Sequence, residues 1–166
     1  MNWEIEYGEP FEGFELYCEE KAEERGFNDI KLQYSLSNRQ GDGLSFAAES
    51  IDFKKFIAET IPNCKKSVSN ILQYYTTYKI TGNAGRYCYA SNSDVEFEFD
   101  NYTKEYPNIQ TLVDLIGNNV KHEYMSLCEE LEKEGYNWLE SSLSEETIKD
   151  NIIANEYEFT EEGNLQ

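Results

Sequence analysis

Ile109, Leu112, Val113, Ile116, Val120, Tyr124, Leu127 and Leu131 recur at steps of three and four residues. That spacing draws one apolar stripe along a helix and predicts a long helix from about Asn108 to about Gly135. Gly117-Asn118-Asn119 is placed to bend it. A helix that is apolar on one face only must bury that face against a second layer, and the rest of the chain has the pattern of strands and short helices that would supply one.

Pro10 opens a segment in which Phe11, Phe14, Cys18 and Ala22 fall at helical spacing before Gly26, predicting a helix over residues 10–25. Its other face carries Glu12, Glu15, Glu19, Glu20, Glu23 and Glu24. Residues 30–36 alternate apolar and polar, residues 37–43 are rich in turn formers, and Leu44 to Ala48 is extended again, which is the pattern of a hairpin. Ser50 is placed to cap a short helix that runs to Ile61 and is ended by Pro62, and residues 67–72 suit another turn or two of helix. Residues 73–81 are dense in β-formers. With Gly82-Asn83-Ala84-Gly85 as a turn and Arg86 to Ala90 as the returning strand, they predict a second hairpin. A strand over Asp94 to Asp100 follows, and Ser144 with Glu145 and Glu146 opens a last helix to about Asn155. Glu156 to Thr160 suits a closing strand.

The expected fold is therefore α+β. One domain covers residues 1–166, with residues 161–166 frayed, and 166 residues suffice for one ordinary core. An antiparallel sheet of about four to six strands, built from two hairpins and an acidic strand, packs against the long C-terminal helix and shorter helices.

Charge narrows the function. Thirty-three Asp and Glu face 14 Lys and Arg, a formal charge of −19 that disfavours direct binding to nucleic acid or anionic lipid. The charge is uneven: −8 over residues 1–29, +4 over residues 30–93 and −15 over residues 94–166. At 14% aromatic residues, the chain is not an acidic disordered tail. The first residues lack a basic start and an apolar core, and no run reaches the roughly 18 apolar residues of a membrane span, so a cytoplasmic protein is expected. Cys18, Cys64, Cys88 and Cys128 form no Cys-x-x-Cys pair and are expected as reduced thiols.

Catalytic patterns are sparse. A single histidine, His122, excludes any site that needs two imidazoles, and there is no phosphate-binding Gly-x-x-x-x-Gly-Lys-Ser/Thr sequence. No catalytic residue, metal site or cofactor is assigned, and a non-enzymatic role is expected. Two features stand out. Gln40-Gly41-Asp42-Gly43 supplies the positive-φ positions of a tight turn and can also present Gln40, Asp42 and backbone N–H groups to a ligand, with Arg86 beside them if both hairpins share a sheet. In the strand 94–100, burial of Val95, Phe97 and Phe99 sets Asp94, Glu96, Glu98 and Asp100 on the opposite face, about 6.6–6.8 Å apart. Duplex phosphates advance ~3.4 Å per strand, so this row has a spacing on the scale of a nucleic-acid backbone. Together with Glu129, Glu130, Glu132 and Glu134 and the acids of the first helix, it would form a polyanion-like surface. The alternative is a plain solvated sheet face.

The stretch Tyr34-Ser35-Leu36-Ser37-Asn38-Arg39-Gln40-Gly41-Asp42-Gly43-Leu44-Ser45-Phe46 resembles the Ser-Gln-Gly-Asp-Gly motif of small acidic proteins encoded by tailed phages and prophages. Ile80-Thr81 with Gly85-Arg86-Tyr87-Cys88-Tyr89 is similar to that family's second motif. Residues 153–163, with Glu156-Tyr157-Glu158-Phe159-Thr160-Glu161, are similar to its C-terminal signature. Arg39 is an extra residue before Gln40, and Gly82 stands where the relatives commonly carry His. The resemblance implies a phage or mobile-element origin rather than a particular reaction. Small acidic phage proteins without an active site often block host defence enzymes. The expectation is thus an inhibitor of a host nuclease, of the anti-CRISPR or anti-restriction kind, that binds the nucleic-acid groove through the acids named above. The alternative is a small-ligand or metal-binding module, or a hydrolase, around the Gln40-Gly41-Asp42-Gly43 turn with Arg86. A third reading is a regulatory adaptor that contacts a host protein through the Tyr-rich middle.

Overall fold

The computed structural model describes residues 12–37, 41–81, 88–99 and 107–154, together with positions 157, 160 and 163. Helix α1 (Glu12–Glu24) leads into strands β1 (Phe27–Ser35) and β2 (Gly43–Ile51). Helices α2 (Phe53–Thr60) and α3 (Lys66–Tyr75) follow, then β3 (Thr76–Thr81), a 3₁₀ turn (Ala90–Asn92), β4 (Asp94–Phe99), α4 (Pro107–Ser142) and α5 (Glu145–Ala154). The described strands form one antiparallel sheet in the order β1-β2-β3-β4, which places the acidic strand β4 at an edge among them. This is the expected α+β arrangement, with one sheet and one long helix around a single buried cluster.

The stripe on α4 faces the sheet. Val113, Ile116, Val120, Tyr124, Leu127 and Leu131 are all buried against Phe46, Ala48 and Ile80 of the sheet and Phe14, Cys18 and Ala22 of α1. Phe27 sits at the centre of an aromatic group, with Phe46, Phe56 and Tyr124 around it at ring separations of 5.4, 5.6 and 6.2 Å. Such edge and tilted ring pairs add to what area burial alone contributes. The Tyr124 hydroxyl donates to the Phe46 carbonyl at 3.1 Å, accepts from the Phe46 N–H at 3.3 Å, and meets Ser93 Oγ at 2.9 Å. One side chain of α4 thus bonds β2 on both of a residue's backbone groups and holds the turn before β4.

Several boundaries differ from expectation, each for a physical reason. Gly135 does not end the long helix, which continues to Ser142. A Cβ at Gly135 would lie 2.5 Å from Leu36 Cδ1 and 2.9 Å from Phe14 Cζ, so this glycine marks a close approach of α4 to the β1 end and α1. Gly135→Ala is expected to cost about 1 kcal/mol net, because overpacking of ~1–3 kcal/mol exceeds the gain in helix propensity. Thermal unfolding should show a melting temperature lower by about 2–4 °C. The helix also runs unbroken through Gly117-Asn118-Asn119.

Asp52, not Ser50, caps α2, accepting hydrogen bonds from the N–H groups of Lys54 and Lys55. Ser50 is still paired in β2, opposite Asn28. Helix α3 reaches Tyr75, so three residues expected in the strand are helical and β3 begins at Thr76. The partner of β3 is not the segment 86–90. Cys88 and Tyr89 are outside any strand, Ala90 begins the 3₁₀ turn, and β3 pairs with β4 in the register Ile80–Val95 and Lys79–Glu96. Gly82–Gly85 and Arg86 lie outside the described residues, as do Pro10, Phe11 and Asp100. Of the closing strand expected over 156–160, Tyr157 and Thr160 are in neither strand nor helix, and the other three positions lie outside the described residues.

Candidate functional site

Two places in the fold collect the residues singled out by sequence: the turn before β2 and the seam between α1 and α4.

At the turn, Asp42 is held by its own hairpin. One carboxylate oxygen accepts from Ser35 Oγ at 2.8 Å and Ser37 Oγ at 3.1 Å, and the other accepts from the Ser37 N–H at 2.7 Å and the Tyr136 hydroxyl at 3.4 Å. Gly41 and Gly43 take φ of 100° and 158°, and a Cβ on Gly43 would come within 3.0 Å of the Cys88 carbonyl oxygen. The glycines therefore let the turn lie flat against the segment 88–89, where the Cys88 N–H reaches the Gly41 carbonyl at 3.4 Å. Both carboxylate oxygens of Asp42 serve the turn and its attachment to α4. Gln40 and Arg86, the other members of the expected ligand set, lie outside the described residues.

Asp42 also sets the electrostatics nearby. Burial, then Asp42, then Glu129 push the Glu132 carboxyl above the ordinary carboxylate range. Burial and Asp42 likewise raise the Cys88 thiol. A raised carboxyl disfavours the folded state once it ionises, so this penalty is present above the folded value and is relieved as pH falls through it. Glu132→Gln is accordingly expected to raise the melting temperature slightly at pH 7, with the gain fading as pH falls toward ~4. Thermal scans of both proteins from pH 4 to pH 8 check this.

The seam has the opposite character, solvent-facing and crowded with acids. Arg25, just past the end of α1, reaches across to α4, with Nη1 3.1 Å from Glu123 and Nη2 2.7 Å from Glu130. Lys21 pairs with Glu24 at 2.7 Å, and Glu20 also lies close enough to raise the lysine. Tyr17 is pushed up by burial first and then by Glu134, with Glu130 adding to it. Glu20, Glu24, Glu123, Glu130 and Glu134 thus gather around two cations, Lys21 and Arg25. Exposed Glu23 on α1 and exposed Glu129 on α4 extend the surplus. The exposed pairs contribute little to stability, typically under about 1 kcal/mol each. Their larger effect is the field they leave.

The expected acids divide between two faces of the sheet. Glu130 and Glu134 are on the helical side with the acids of α1, while Glu132, with Glu129 near it, is turned to the Asp42 flank. The register aligns Val95 with buried Ile80 and Glu96 with exposed Lys79, so Asp94, Glu96 and Glu98 occupy positions of the opposite sheet face. The two groups therefore do not form one continuous row. Glu123 joins the acidic group without having been marked by sequence. The one signal for it is Arg25, a cation immediately after a glutamate-rich helix.

His122 is exposed, and its Nδ1 lies 3.9 Å from Glu123. Cys18 and Cys128 are buried free thiols, both pushed up to about 12 chiefly by burial, and Cys64 and Cys88 are free as well. Among the described residues no group of three His, Cys, Asp or Glu is placed to hold a metal ion, and no helix is long and apolar enough to cross a membrane. In comparisons with known proteins, no family model matches the chain, and no curated protein or solved structure is similar to it.

Proposed function

We propose that this protein is an acidic binding module that occupies the cationic groove of a nucleic-acid-binding protein. In the setting implied by the resemblance to phage proteins, the target is a host defence nuclease in the cytoplasm, a restriction enzyme or a CRISPR effector. The observation that carries this reading is the surplus of carboxylates along the α1–α4 seam, held in place by Arg25 across elements about a hundred residues apart in sequence. A rigid pair of helices presenting fixed negative charge suits a groove lined by Lys and Arg, and opposite fields speed encounter as well as fix orientation. The reading assigns the chain no catalytic step and no cofactor.

The test is capture of partners from a host lysate by the tagged protein at low salt and at ~0.5 M salt, where exposed charges are screened within a few ångströms. Nucleic-acid-binding enzymes captured at low salt and released at high salt are the expected result. Partners with no affinity for nucleic acid, or held equally at both salts, would overturn the proposal.

A further inference from the structure

The buried stripe of α4 ends at Gly135, but the helix does not. Residues 136–142 carry it beyond that stripe: Tyr136 and Trp138 still lean on the core, Tyr136 through Asp42 and Trp138 with its ring 5.8 Å from Phe14, but none of the seven is buried, nor is any described residue of α5. On this overhang Tyr136, Leu139, Glu140 and Leu143 recur at steps of three and four, so they share one face, and with Ser144 they line an open groove of about 630 Å³. Leu143 is 57% exposed. Helix α5 adds exposed Ile148 and Ile153. Large apolar side chains gathered at one end of a chain this acidic carry a cost in water that a purely electrostatic binder has no reason to bear.

The geometry points to this groove as a second docking surface, whose occupant is a basic amphipathic helix of a partner protein. The apolar floor calls for an apolar stripe on the occupant, read at helical spacing. The surroundings call for cations, because Glu140 lines the groove and over residues 136–154 it and exposed Glu145, Glu146 and Asp150 of α5 outnumber a single base, Lys149, which is already paired with Glu145 at 2.7 Å. The same charges argue against a second copy of this chain, since two copies meeting here would bring like-charged rims together without a compensating cation. The surface is independent of the seam between α1 and α4, and it remains if the groove-binding reading fails.

The probe is a labelled 18-residue synthetic helix with leucine at helical spacing and lysine on its other face, titrated with the full chain and followed by anisotropy. Saturable binding that weakens at least tenfold in Leu143→Ala, with Leu115→Ala unchanged, is the expected result. Leu115 is a fair control because it is 50% exposed and lies about 40 Å away along the same helix. Both substitutions are at exposed positions, so neither threatens the fold. Equal weakening by the two variants would show attraction by net charge alone and overturn the proposal, as would no binding. Equally tight binding of a peptide carrying glutamate in place of lysine would refute the basic occupant. A concentration-dependent dimer of the free protein that Leu143→Ala abolishes, seen by sedimentation, would reassign the groove to self-association and likewise overturn it.

Discussion

Reversing four carboxylates on α1 and α4, Glu20→Lys, Glu23→Lys, Glu129→Lys and Glu134→Lys together, is expected to lower affinity for a captured nucleic-acid-binding partner at least a hundredfold at low salt. The formal charge changes from −19 to −11, and at the seam itself the change is concentrated, because Glu20 lies near Lys21 and Glu134 near Tyr17. None of the four donates or accepts a hydrogen bond on which the fold depends, and Glu123 and Glu130, which hold Arg25, are left in place. Circular dichroism and a melting temperature within a few degrees of the parent check that the fold survives. A matching reversal of Asp94, Glu96 and Glu98 on the far sheet face separates the two acidic groups. The seam reading requires the helical variant to lose binding and the strand variant to keep most of it. The opposite outcome would move the contact to the edge strand, and retention by both would remove electrostatics from the explanation.

Removing the Tyr124 hydroxyl should have the largest effect of any single-atom change in the core. Tyr124→Phe keeps the ring, which packs 4.8 Å from Phe46, so the cost is polar rather than a cavity. The Phe46 N–H, the Phe46 carbonyl and Ser93 Oγ each lose a partner inside the protein. A buried group left without its partner costs about 1–3 kcal/mol, and with partial relaxation a total of about 2–3 kcal/mol is expected. That corresponds to a melting temperature about 4–12 °C lower. The two proteins should also differ in alkali. Burial, with Cys128 adding to it, pushes the Tyr124 hydroxyl up, so the folded state holds its proton after the unfolded chain has begun to release it near pH ~10. Stability from this group is therefore present below the unfolded value and lost as pH rises above it. Phenylalanine has no proton to lose, so the gap between the two proteins should narrow above pH ~10. No loss at neutral pH would show that the three bonds contribute nothing net, and a gap that stays constant in alkali would show that burial does not hold the hydroxyl's proton.

The sequence made the long helix, the first hairpin and the last helix readable because each rests on local evidence: period, turn residues and a cap. Where two elements meet, local evidence misleads. Gly135 at the end of an apolar stripe looks like a stop signal, yet it is a contact with Leu36 and Phe14 that no local pattern encodes. Ser50 and Asp52 are both good caps, and only the pairing of Ser50 with Asn28 decides between them. The segment 86–90 looked like a strand because aromatic residues favour sheets, but β4 offered β3 a longer partner in register. The acidic seam was the least legible feature. The glutamates of α1 were visible, but their company on α4 depends on which flanks of two distant helices touch. That choice is made by burial and fixed by Arg25.

The place of β4 at the end of the sheet has a consequence of its own. An outermost strand offers unpaired backbone groups to any chain that approaches, and proteins guard such borders with charge. Alternate positions of this border are Asp94, Glu96 and Glu98, and the border of a neighbouring molecule would carry the same three. At neutral pH the molecules repel each other along the line where they would otherwise add strand to strand. The protection rests on ionised carboxylates, so it weakens in acid, and clouding or fibril growth as pH approaches ~4 would reveal that this strand's charge also keeps the molecules apart.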